Sequence, residues 1–108
     1  MTTPQLQHII EKGEGLTVEF KQSFNRQVIE TLVAFANKKG GRIFVGISNT
    51  GKIAGVELNE ESLQNWQNEI KSKTEPAVFP YIEAVPIDNK TIVVISISEY
   101  PVKPVSVQ

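Results

Sequence analysis

The stretch Ala34-Phe35-Ala36-Asn37-Lys38-Lys39-Gly40-Gly41-Arg42-Ile43-Phe44-Val45-Gly46-Ile47 changes its hydrophobic period halfway along, and that change decides the fold. Before and into it, Val28, Leu32 and Phe35 recur at helical spacing with Ile29, Val33 and Ala36 beside them. The spacing predicts a helix of about three turns that begins after Ser23 or Asn25 as N-cap and ends near Asn37. Lys38 and Lys39 suit the negative C-terminal end of such a helix, and Gly40-Gly41 stops it. Ile43 to Ile47 is a β-branched and aromatic run, so a strand follows the glycines directly.

Working outward, Leu16, Val18 and Phe20 alternate with Thr17, Glu19 and Lys21, the period-two signature of a half-buried strand entered through Gly13 and Gly15. On the other side Asn49-Thr50-Gly51 reads as a turn, with Ile53 to Val56 as a short returning strand. Asn59 can cap a second helix with Glu60 and Glu61 in its first turn, Lys71 and Lys73 in its last, and Leu63, Trp66 and Ile70 as its buried stripe. Pro76 and Pro80 bracket a loop. Tyr81 to Ile87 and Thr91 to Ile97 flank Asp88-Asn89-Lys90 as a hairpin, and the nearly all-apolar second arm should be a central strand buried on both faces. The expectation is an α+β domain: a single mixed β-sheet with two main helices packed on its faces, behind an N-terminal helical lead-in over residues 1–13.

Composition narrows the function. The chain has 108 residues, 40% of them hydrophobic and 21% charged, which suits one globular core. Cysteine is absent and His8 is the lone histidine, so disulfides, thiolate zinc sites and multi-histidine metal sites are excluded. No apolar run approaches the ~20 residues of a membrane span, and no signal-peptide pattern opens the chain, so a cytoplasmic protein without a membrane partner is expected. With a net charge of −1, any contact with nucleic acid has to come from a local basic patch. Lys38, Lys39 and Arg42 cluster at the helix-to-strand corner, where glycines let backbone N–H groups approach an anion; Lys21 and Arg26 are candidates to join them. The bland alternative is a helix end with solvated lysines, and for Glu14 and Glu19 it is a glycine-rich loop and the polar side of a strand. Trp66 reads as core, and the spacing of Tyr81 and Tyr100 favours packing as much as base stacking.

Taken together, Glu14-x4-Glu19-Phe20-Lys21, Ala34-Phe35-Ala36-Asn37-x2-Gly40-Gly41 and Val45-Gly46-Ile47-x3-Gly51-x3-Gly55 resemble the Schlafen AlbA-type (AlbA_2) domain, formerly also labelled divergent AAA-4. The likeness runs from Glu14 to about Pro104, nearly the whole chain, with Gly40, Gly41, Gly46 and Gly51 as its turn positions. It implies a domain over residues 14–108, truncated at its C-terminus because Tyr100-Pro101-Val102-Lys103-Pro104-Val105 resembles the start of a longer segment. The central strand would then lack a neighbour and the exposed edge would favour a homodimer. In bacteria and archaea such domains usually stand ahead of winged-helix segments in transcriptional regulators, which implies DNA, more than RNA, as partner. No Gly-x4-Gly-Lys-[Ser/Thr] loop supports ATP binding.

Some Schlafen relatives resemble nucleases that gather Mg²⁺ or Mn²⁺ on two glutamates and an aspartate. Carried over, the glutamates fall on Glu14 and Glu19, while Ser48 and Asn49 stand where the aspartate belongs. Asn49 would be a neutral third ligand to a hard cation that relies on anionic oxygens. Three readings follow in order: a non-catalytic DNA-binding domain without cofactor, a metal-dependent nuclease, and a dimerisation scaffold.

Overall fold

The computed structural model describes residues 1–108. Four strands form a mixed sheet in the order β1-β2-β5-β4: β1 (Val18–Lys21), β2 (Gly41–Val45), β4 (Tyr81–Ile87) and β5 (Lys90–Ile97). β1 runs parallel to β2, with Val18 opposite Arg42 and Lys21 opposite Val45, and the other two pairings are antiparallel. The parallel pair requires a crossover, which α2 (Arg26–Ala36) supplies. Asn25 caps it by accepting from the Gln27 N–H at 2.9 Å.

The run Ile92 to Ile95 is buried throughout because both faces of the sheet are covered. Val93 and Ile95 point, with Ile43 and Val45, into a core made with Val28, Ile29, Leu32 and Phe35 of α2. Ile92 and Val94 point the other way, with Phe20, Phe44, Val85 and Ile87, onto Leu6 of α1 (Thr3–Lys12). The N-terminal helix is therefore a structural layer and not a lead-in: Thr2 and Gln5 form a capping box, and Leu6 is fully buried. The fold is α+β with a mixed sheet, and its three helices are the two main ones that the periodicity predicts and the N-terminal helix before them.

Other details depart from the sequence reading. Leu16 is 98% exposed, because a tight Gly15–Val18 bridge turns it outward before β1 begins. The returning strand at Ile53 to Val56 is only a bridge from Ile47 to Ile53; the Gly46 carbonyl takes both the Ala54 and Gly55 N–H groups, so no ladder extends. Asn59 does not cap the third helix. Its side chain accepts from Glu61 N–H and the Ser62 hydroxyl in a preceding turn, and α3 (Ser62–Ser72) starts there. Trp66 stacks on Phe24 at 4.6 Å against the margin of the α2-side core. Asp88 and Asn89 both have positive φ and form a two-residue hairpin turn.

β5 does not lack a neighbour, since β2 and β4 flank it. The last residues fold back: β6 (Ser106–Val107) pairs with β3 (Thr74–Glu75) in a separate two-stranded ribbon. The Asn37 amide clamps this segment, donating to the Val105 carbonyl at 2.8 Å and accepting from its N–H at 2.7 Å. Gly40 explains the corner's geometry, with φ +81° and a Cβ position that would fall 2.5 Å from the Ile97 carbonyl oxygen. At Gly41 the Phe35 ring occupies the place of a side chain.

Candidate nucleic-acid interface

Strand alternation sends Phe20 to the α1 face and Glu19 with Lys21 to the α2 face, while Glu14 reaches back from the loop before β1. One Glu14 oxygen accepts the Phe20 N–H at 2.9 Å, and its carboxyl lies near enough to that of Glu19 for the two to share a proton. The bond to Glu14, burial and the Glu14 charge together push Glu19 up to about 7, against the pull of Lys21. Glu14 is held below the ordinary glutamate value, chiefly by the same bond, with help from the Phe20 N–H and Lys21 and against burial. Below about pH 7 the pair holds one shared proton.

The two carboxylates expected to meet do meet, but the expected set does not close. Asn49 lines a different hollow of about 490 Å³, at the carboxyl ends of β1 and β2, together with Lys21, Gln22, Ser23, Ser48 and Thr50. Lys21 borders both that hollow and the shallower one beside Glu19. No third His, Asp, Glu or Cys joins the carboxyl pair. The pair offers a cation two carboxylates and no third anionic side chain, fewer anionic oxygens than a hard divalent cation usually gathers.

The five cations proposed as one patch are spread over the molecule. Lys38 and Lys39, both exposed, border a hollow of about 510 Å³ with Leu16, Thr17, Glu99 and Lys103. Neither takes part in an ion pair, whereas Lys103 is bonded to Glu99. Lys21 and Arg26 lie at the opposite end of α2, 11 residues long and so about 16 Å at ~1.5 Å per residue. Arg26 is also paired with Glu30 at 3.4 Å.

Arg42 leaves the corner altogether. As the second residue of β2 it shares a face with Phe44, over whose ring its guanidinium lies at 5.8 Å, and it lines a hollow beside α1. The signal for this was the Arg42-x-Phe44 alternation, hidden when the strand is started at Ile43. Sequence reasoning also missed Asn37 as a clamp, which nothing in its local pattern announces because its partner is Val105.

No helix is long and apolar enough to cross a membrane. No curated protein sequence matches the chain. Among solved structures, the N-terminal domain of a Nitrosomonas europaea protein described as related to the ATP-dependent DNA helicase RecG is similar, with a TM-score of 0.78 at 21% identity. The match covers 100% of this chain and 81% of that one. The DIP2311 protein of Corynebacterium diphtheriae is similar with a TM-score of 0.71 at 19% identity, over 94% of this chain but only 22% of that one. Both show the same fold. The Schlafen, AlbA_2 family model matches residues 14–108, the span from the paired carboxylate Glu14 through the Gly40-Gly41 corner to the clamped C-terminal segment, and the chain belongs to that family.

Proposed function

We propose that this chain is a non-catalytic nucleic-acid-binding domain, acting in the cytoplasm as part of a transcriptional regulator, that contacts DNA phosphates through the Lys38-Lys39 end of the sheet. The observation that carries this is a pair of exposed lysines free of ion pairs beside a hollow, on a chain whose net charge of −1 offers no general attraction to nucleic acid. Family membership supports the reading, as does the likeness to a domain whose parent is described as helicase-related. Lys21 and Arg42 border other hollows and Arg26 is paired with Glu30, so this footprint rests on Lys38 and Lys39. Two phosphate contacts therefore give a log K against log salt slope of about −2 on duplex DNA, weak and largely indifferent to sequence.

Fluorescence anisotropy with labelled duplex and single-stranded DNA and RNA at two salt concentrations tests it. Lys38→Ala with Lys39→Ala should weaken binding to every sequence and flatten the slope to near zero. Unchanged binding by the double variant sinks the reading. A sedimenting dimer that binds no nucleic acid puts the scaffold reading in its place.

A further inference from the structure

We infer that the α1 face carries a second, separate site, built to hold the phosphate of a nucleoside monophosphate on Arg42 with its base against Tyr81. The hollow there is open to solvent and has a volume of about 650 Å³, room for a ligand of nucleotide size to lie along it. Arg42 is half-buried in its wall and its guanidinium has no carboxylate partner; none of the ion pairs of the chain includes it. Its position is fixed by pairing on both sides, to Val18 of β1 and Ser96 of β5, and by the Phe44 ring below it. A guanidinium held in place without an anion is a fork prepared for one, and phosphate oxygens match its geometry.

The neighbouring groups are donors or already neutralised. Glu83, the one carboxylate in the hollow, accepts the Met1 ammonium at 2.6 Å, so the pair carries no net charge toward a ligand. The Gln5 side-chain oxygen is taken by the Thr2 N–H at 2.8 Å, which leaves its amide NH₂ to donate. Ser96 and His8 add a hydroxyl and an imidazole on the same wall. The net charge of the site is then one positive, and the ligand class is a monoanionic or dianionic phosphate ester.

The base is assigned by Tyr81. It lies opposite Ser96 in the β4–β5 register, on the same sheet face, and it is 65% exposed. An aromatic ring left in solvent on the same face, two strands and so about 10 Å from the Arg42 position at ~4.8 Å per strand, gives the base of a bound nucleotide a stacking surface without reading its identity. Every nucleobase has such a face, so the site should accept purine and pyrimidine monophosphates alike.

The site is independent of the Lys38-Lys39 end, and the test separates them. Adenosine monophosphate, adenosine and inorganic phosphate are titrated into the ¹⁵N-labelled chain, following amide shifts. Adenosine monophosphate should move Arg42, Ser96, Tyr81 and the first turns of α1, and bind more tightly than either fragment. Arg42→Gln should weaken it about tenfold or more, Arg42→Lys less, because the charge stays while the fork is lost. Tyr81→Ala should bring its affinity down to that of inorganic phosphate. The Lys38→Ala, Lys39→Ala variant should bind it as the wild type does. Retained amide dispersion in each variant shows that the fold survives. Unchanged affinity in both Arg42 variants, or shifts confined to the Lys38-Lys39 end, overturns the site. Inorganic phosphate binding as tightly as the nucleotide overturns the assignment of the base.

Discussion

Replacing Glu19 with Gln should remove a loss of stability expected of the wild type as pH rises through about 7. In the folded chain Glu19 keeps its proton up to about 7, while in the unfolded chain the same carboxyl titrates near 4.5. Between these values the folded state binds the extra proton, so this contribution is fully present below about 4.5 and is lost as pH rises through about 7. Glu14 acts in the opposite sense, its contribution being present above the ordinary glutamate value and lost as pH falls through its lower one. On a fully shielded group the Glu19 change is worth about 3 kcal/mol at ~1.4 kcal/mol per decade. Glu14 is exposed and Glu19 only half-buried, so solvent screening reduces this to about 1 kcal/mol. Urea denaturation at about pH 5 and about pH 8 measures it: the wild type should lose about 1 kcal/mol more than Glu19→Gln over that interval. Parallel losses in the two proteins would refute the shared proton, since every other titrating group is common to both.

Asn37→Ala strands the Val105 N–H and carbonyl together and should cost about 2–3 kcal/mol in chemical denaturation. Gly40→Ala forces a positive φ on a side chain and a collision with the Ile97 carbonyl, so a loss of more than about 2 kcal/mol, or failure to express folded, is expected. Leu16→Ser should change stability by less than about 0.5 kcal/mol, because the side chain touches solvent and not core; a core-sized loss would restore the alternation reading.

Much of the fold was legible because period and chemistry agree wherever an element is long. The α2 stripe, the Gly40-Gly41 corner, the hairpin arms and the doubly buried β5 all announce themselves through spacing. Short elements did not. α1 has a single fully buried side chain, Leu6, so its short pattern announces a helix but not a packed layer, and the isolated bridge at Ile53 leaves the same apolar trace as a strand. In the site, Glu14 and Glu19 come together through the turn at Gly15, as the family motif implied. Arg42 parts from Lys38 and Lys39 because proximity in sequence says nothing of direction: it sits on a strand, and strands alternate. Tyr81 takes its place beside the Arg42 hollow only through its cross-strand neighbour Ser96, a pairing with no local signal in the sequence.

The Glu14 carboxylate on the Phe20 N–H has a consequence for how this domain can assemble. It occupies the outer side of β1 with an acceptor from the chain itself. At the other margin Pro86 has no N–H to offer, and its carbonyl accepts the Thr3 hydroxyl at 2.8 Å. Each margin of the sheet is thus filled at one point by its own chain, one with a carboxylate and the other with an imino acid. A strand added by a second copy would have to displace the Glu14 carboxylate at one margin and pass Pro86 without its hydrogen bond at the other.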